Sequence, residues 1–180
     1  MGIPPIWIAP EQGNFMQILL RAARVKEVVE VGTHAGYSAI WMARGLPEGG
    51  WLRTIEILDH HADFAETWIA KSDVAGKVEV LRGAAQDLLP GFGVDSADAA
   101  FIDADKAGYP RYLNECLRIV RKGGLILIDN AFAFGELLER SPQDPEVQWI
   151  RAFNDQVVKD KRLQGIIVPL GDGLWVCVKK

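Results

Sequence analysis

Apolar residues along this chain follow two alternating spacings: short continuous runs, and longer stretches in which they return every third or fourth position. The runs read as strands buried on both faces, and the periodic stretches read as helices. After a short leader, Pro10-Glu11 opens a helix with proline in its first turn, and Phe15, Ile18, Leu19 and Ala22 keep helical spacing as far as Arg24. Strand one is expected at 27–31, a loop at 32–36, a helix at 37–44 and strand two at 51–57, with Pro47-Glu48-Gly49-Gly50 as the turn between them. The pattern continues with a helix at 59–71, strand three at 77–81, strand four at 97–102, a helix at 109–121 and strand five at 124–128, after a break at Gly123-Gly124. Beyond Ser141-Pro142, residues 145–161 predict a long helix, and 165–169 with 174–178 a hairpin about Gly171-Asp172-Gly173. No repeat, low-complexity tract or linker intervenes. The alternation therefore predicts one α/β domain over 1–180, with a parallel sheet closed by an antiparallel strand.

Length and composition narrow the function classes. A chain of 180 residues buries roughly 70% of its unfolded surface and needs no disulfide or metal staples to hold its core. Its two cysteines, Cys116 in an expected helix and Cys177 in an expected strand, lack CxxC spacing and read as packing residues. The apolar runs fall far short of the ~20 residues that span a bilayer. The start of the chain has neither the basic residues nor the long apolar core of a secretory signal, so a cytoplasmic protein with no membrane partner is expected. A formal charge of −4 and a pI near 5.4 oppose broad electrostatic attachment to nucleic acid.

Candidate chemistry sits where two apolar runs end. Phe101-Ile102-Asp103-Ala104-Asp105-Lys106 and Leu125-Ile126-Leu127-Ile128-Asp129-Asn130 each finish in oxygen-bearing side chains. If the runs are neighbouring parallel strands, Asp103, Asp129 and Asn130 emerge together at the carboxyl edge of the sheet, where ligands of such sheets gather. Three hard oxygen donors suit a divalent cation such as Mg2+, with Mn2+ or Ca2+ as alternatives. Lys106, three residues after the first of them, is a candidate base.

A second signal is Glu30-Val31-Gly32-Thr33-His34-Ala35-Gly36, a glycine loop between strand one and a helix, followed by Glu56 at the end of strand two. An acid about 20 positions after such a loop is placed to accept from both hydroxyls of a ribose. The glycines are spaced GxxxG rather than GxGxxG, which weighs against a nicotinamide dinucleotide. S-adenosylmethionine carries a ribose and no phosphate, and Ser38 with backbone amides could hold its carboxylate.

Together with Pro10-Glu11-Gln12-Gly13 and Pro169-Leu170-Gly171-Asp172-Gly173-Leu174, these motifs make the chain resemble the cation-dependent O-methyltransferases, the family of catechol and caffeoyl-coenzyme A O-methyltransferases, and most closely its small bacterial members. The resemblance covers nearly the whole chain. It implies a Rossmann-like, class I S-adenosylmethionine-dependent fold, with seven mostly parallel strands, an antiparallel terminal strand and helices on both faces. It also implies that Asp103, Asp129 and Asn130 hold the metal, with Lys106 and Asp103 catalytic. Glu30, Gly32, Thr33 and Ser38 would line the methionine end of the cofactor, Glu56 the ribose and Ala85 the adenine. Asp103 and Asp105 would add further cofactor contacts, and Ile8 backbone near the carboxylate. The expected reaction moves a methyl group to one hydroxyl of a phenolic small molecule, a catechol-like vicinal diol, and many relatives are homodimers.

Relatives usually carry further helices ahead of the proline-glutamate segment, so a short leader predicts an acceptor site that is open or covered by a partner subunit. Ala131-Phe132-Ala133-Phe134 lacks the polar acceptor contact of plant relatives, which disfavours coenzyme A esters. Alternatives are methylation of a hydroxyuridine in transfer RNA, a noncatalytic S-adenosylmethionine-binding module, and a nicotinamide oxidoreductase. The competing structural readings are plain. Strand-end acids often cap helices, His34 is expected to face water, His60 and His61 to diverge on a helix, and Trp41, Trp68 and Trp149 to pack. Trp7, ahead of the first helix, suits a cofactor lid or an oligomer contact.

Overall fold

The computed structural model describes residues 3–180. Along the chain run α1 (Pro10–Ala22), β1 (Glu27–Val31), α2 (Tyr37–Gly45), β2 (Trp51–Glu56), α3 (Asp59–Ala70), β3 (Val78–Arg82) and α4 (Ala85–Leu88). They are followed by β4 (Ala97–Ile102), α5 (Tyr109–Ile119), β5 (Val120–Ile128), α6 (Pro145–Lys159), β6 (Leu163–Val168) and β7 (Leu174–Lys179). Single 3-10 turns lie at Leu89–Gly91 and Lys106–Gly108. The seven strands form one sheet in the order β3-β2-β1-β4-β5-β7-β6. The five strands from β3 to β5 pair in parallel, and β7 pairs antiparallel with both β5 and β6.

Period-two alternation explains why the sheet is covered twice. Ile102, Ile126 and Ile128 point to one face with Leu113, Cys116 and Ile119 of α5 and Phe153 and Val157 of α6. Phe101, Leu125 and Leu127 point to the other, against Met16 and Leu20 of α1 and Ala39 and Met42 of α2. The central strands thus read as apolar runs because neither face meets water. Both cysteines are free and buried, and burial pushes each thiol up to about 12, so they pack and do not react.

Element boundaries depart from expectation where distant partners intervene. The helix expected through Arg121 ends at Ile119, and strand five starts at Val120, which is fully buried and pairs with Ala97. Arg121 turns its guanidinium to Asp98, 2.6 Å away. Ile57 lies beyond β2 and is 66% exposed beside the binding cavity. Among the described residues no helix is long and apolar enough to cross a membrane.

Candidate active site

β4 and β5 are neighbours in register, Ile102 opposite Ile128, so the next residue on each strand, Asp103 and Asp129, arrives at the same sheet edge. The amide of Asp129 donates to the Ile102 carbonyl at 3.0 Å, which carries the pairing up to the acids. Asn130 then leaves the sheet with φ +62. Lys106, buried, sets its ammonium among four oxygens: Asn130 Oδ1 and the Tyr109 hydroxyl at 2.7 Å, the Ala104 carbonyl at 2.9 Å and Asp103 Oδ1 at 3.2 Å. The fold thus brings Asp103, Asp129, Asn130 and Lys106 together at one edge.

Three supporting residues carried no role in the sequence reading. Buried Gln12 of α1 donates from Nε2 to Asp129 Oδ1 at 2.7 Å. Tyr109 is fully buried, and desolvation with the charge of Asp103 holds its phenol well above the ordinary range, so it stays a neutral partner of Lys106. Asp172 accepts from Asn130 Nδ2 at 3.1 Å. The motifs 10–13 and 169–174 contained Gln12 and Asp172, yet their partners lie far away in sequence, so only the motifs themselves pointed to them.

The acidic edge suits a cation. Every donor at the edge is oxygen, a set that hard divalent ions prefer. An ammonium already stands between Asp103 and Asn130. Burial and the neighbouring Asp103 charge hold the Asp129 carboxyl well above the usual carboxylate range, so added positive charge would be welcome there. Among the described residues no group of three His, Cys, Asp or Glu side chains is preformed for a metal; the donor set is two carboxylates and an amide.

Next to this edge opens a cavity of about 840 Å3, lined by Gly32, Glu56, Ala85, Asp103, Asp105 and Ile8 among others. That is ample for a nucleoside-sized ligand with an acceptor beside it. Glu30 lies fully buried at the end of β1; Ser38 donates to its Oε1, and its Oε2 has no partner. Desolvation pushes its carboxyl up to about 8. A buried carboxyl oxygen without a donor suits the ammonium of an amino-acid ligand. Glu56 receives the His34 amide at 2.8 Å and the Leu58 amide at 2.9 Å, which fixes its carboxylate while leaving lone pairs for hydroxyl donors.

Other expected contacts take more specific forms. Thr33 spends its hydroxyl on Thr54, 2.6 Å away, and does not line this cavity, although its neighbours Gly32 and His34 do. Asp105 caps the following turn by accepting from the Gly108 amide at 2.8 Å and also accepts from Tyr112 at 2.6 Å, while still lining the cavity. Gly32 (φ +99) is required by packing first, because a Cβ there would collide with the Asp103 carbonyl. His34 does not face water: it is half-buried, its Nε2 has no partner, and burial and His61 lower its pKa. His60 and His61 do not diverge either; their rings meet edge to face at 4.4 Å, and His61 Nδ1 stands 3.8 Å from Glu56. Trp7, 52% exposed, borders the cavity and leans on Tyr37.

The chain matches the O-methyltransferase family model over residues 2–180. It is 38% identical over 187 aligned positions to a catechol O-methyltransferase of Niastella koreensis, covering 99% of this chain and 85% of that one. Its fold superposes on an O-methyltransferase of Bacillus cereus solved with S-adenosylhomocysteine, with TM-score 0.90, 34% identity and coverage of 99% and 84%. TomG of Streptomyces achromogenes, an O-methyltransferase of tomaymycin synthesis solved with S-adenosylmethionine, gives TM-score 0.87, 30% identity and coverage of 98% and 83%. With its Rossmann-like sheet and its glycine turn beside a nucleoside-sized cavity, this chain belongs to the O-methyltransferase family and is an S-adenosylmethionine-dependent O-methyltransferase.

Proposed function

We propose that the enzyme is divalent-cation-dependent and methylates one hydroxyl of a catechol-like vicinal diol. The observation that carries this reading is the convergence of Asp103, Asp129 and Asn130 on one sheet edge with the Lys106 ammonium already held by two of them. A phenol titrates near 10, so ionising it at pH 7 costs ~4 kcal/mol. Asp103, Asp129 and Asn130 would hold a divalent cation, whose charge would lower this cost. S-adenosylmethionine, when bound, would supply an electrophilic methyl carbon on its sulfonium sulfur.

The protein's own groups do the rest. Glu30, buried beside the cavity-lining Val31 and Gly32, would take the amino group of the donor at its free Oε2, Glu56 would receive the ribose hydroxyls, and Ala85 would border the adenine. Gln12 and Asp172 steady two of the cation's ligands from behind. Lys106 lines the cavity and, in its neutral amine form, would take the phenolic proton at Nζ, while Tyr109 and the Ala104 carbonyl fix that nitrogen in place. Phe134, 47% exposed and 6.0 Å from the Lys106 nitrogen, walls the acceptor side of the cavity and favours a flat aromatic ring.

The test is incubation with labelled S-adenosylmethionine and Mg2+ against separate pools of small catechols and bulk transfer RNA, each repeated in chelator. Label in the catechol pool that disappears in chelator supports the reading. Label in transfer RNA alone moves the assignment to a nucleic-acid acceptor, and transfer to catechol undiminished by chelator refutes the cation dependence.

A further inference from the structure

Asn130 presents an amide whose two ends have almost the same shape, so hydrogen-bond partners alone decide which atom faces inward. On the inner side stands Lys106, a pure donor, 2.7 Å from Oδ1. On the outer side stands Asp172, a pure acceptor when ionised, with Oδ2 3.1 Å from Nδ2. The same carboxylate receives two backbone amides of the turn after β5, Phe134 at 2.8 Å to Oδ2 and Gly135 at 3.2 Å to Oδ1. Three donors therefore converge on one side chain.

That turn needs holding. Asn130, Ala133 and Phe134 all have φ between +53 and +62, a left-handed region that non-glycine residues hold only where the surroundings over-determine it. The lacing continues through the backbone: the Ala131 amide donates to the Gly173 carbonyl at 2.9 Å and the Phe132 amide to the Asp172 carbonyl at 2.8 Å. The Gly171-Asp172-Gly173 turn is thus more than a connection between β6 and β7. It fastens the segment that carries one edge ligand and one wall of the acceptor cavity.

We propose that Asp172 is a positioning residue: it keeps the Asn130 oxygen aimed at the cation position and the Phe134 wall in place, so that cation affinity and acceptor fit depend on one outer carboxylate. This rests on the cation-dependent reading above. Asp172→Asn would retain one acceptor oxygen but turn an NH2 toward at least one of the three donors, loosening both the amide and the turn.

The experiment compares wild type with Asp172→Asn, using Mn2+ as the metal probe in a paramagnetic-resonance titration without substrate and S-adenosylhomocysteine as the cofactor probe in calorimetry. The expected result is Mn2+ binding weakened about 10- to 100-fold, unchanged S-adenosylhomocysteine affinity, a raised catechol KM, and turnover that recovers as Mn2+ is raised. A merely structural loss would not be rescued by the ion. Asp172→Ser, which keeps one acceptor for the backbone amides, is the second variant should the first fail to fold, with the same expectation. Wild-type Mn2+ affinity in the folded variant overturns the role of Asp172 alone. A wild-type enzyme that binds no Mn2+ overturns the cation reading, and this inference with it.

Discussion

Cofactor binding should release a proton, and Glu30 should be its source. Its side chain is fully buried, one oxygen takes the Ser38 hydroxyl, and the other has no partner. Burial raises its pKa from an ordinary 4.5 to about 8. At pH 6.5 the free enzyme therefore carries a neutral carboxylic acid there in well over nine molecules in ten. The amino group of the cofactor, with an ordinary pKa near 7.7–8.0, is a cation at that pH. Bringing it to Oε2 restores the charged form of the acid, and close to one proton leaves. Raising the pH from 6 to 7 should then tighten binding about tenfold, since the complex holds one proton fewer than its parts. Calorimetric titration of S-adenosylhomocysteine in buffers of different ionisation enthalpy counts the protons directly. Glu30→Gln imitates the neutral acid and should bring the count near zero while weakening affinity. Wild type releasing no proton at pH 6.5, or the Gln variant releasing as many, would refute the assignment of Glu30 to the amino group.

Two further outcomes concern the same edge. Lys106→Met keeps the aliphatic stem but removes the nitrogen held by Asp103, Asn130 and Tyr109; turnover is expected to fall about 10²- to 10⁴-fold, while the S-adenosylhomocysteine Kd, measured separately, stays within a few fold. Gly32→Ala places a methyl group against the Asp103 carbonyl at φ +99, so it should cost more than the ~1–3 kcal/mol of backbone strain alone. A denaturant midpoint equal to wild type would contradict the close approach of β1 and β4.

The sheet edge was legible because buried parallel strands print themselves as apolar runs, and the residues just past the ends of two adjacent runs meet in space. Asp103 and Asp129 needed no more than that. The start of β5 at Val120 was not legible, since Arg121 continues the helical pattern and only its distant partner Asp98 turns it away. The four-residue α4 is too short to leave a period. The surroundings of His34 come from β2 and α3, through Glu56 and His61, so local sequence suggested an exposed loop where packing makes a half-buried ring. Gln12 and Asp172 escaped for the same reason: each acts on a residue more than forty positions away.

The clustered carboxylates also predict that this enzyme is least stable when empty and alkaline. Asp129 is buried beside Asp103, which pushes its pKa from an ordinary 3.8 up to about 7. A carboxyl raised in the folded state contributes its full stability below the unfolded value and loses it as pH climbs through the folded one, here between about pH 4 and 7. Above that window the free protein carries an ionised group at a cost on the order of a few kcal/mol. Asp129→Asn removes the charge while leaving an oxygen for the Gln12 amide, whose donor lies 2.7 Å away in the native protein. The variant should therefore melt above wild type at pH 8 and draw level with it only as the pH falls to about 4, although it forfeits a cation ligand. Adding Mn2+ at pH 8 should raise the melting temperature of wild type by more than that of the variant, which keeps only the Asp103 carboxylate for the ion to neutralise. If the two proteins melt together at both pH values, the Asp129 carboxylate is already compensated within the protein, and the case that this edge is built for a cation loses its electrostatic ground.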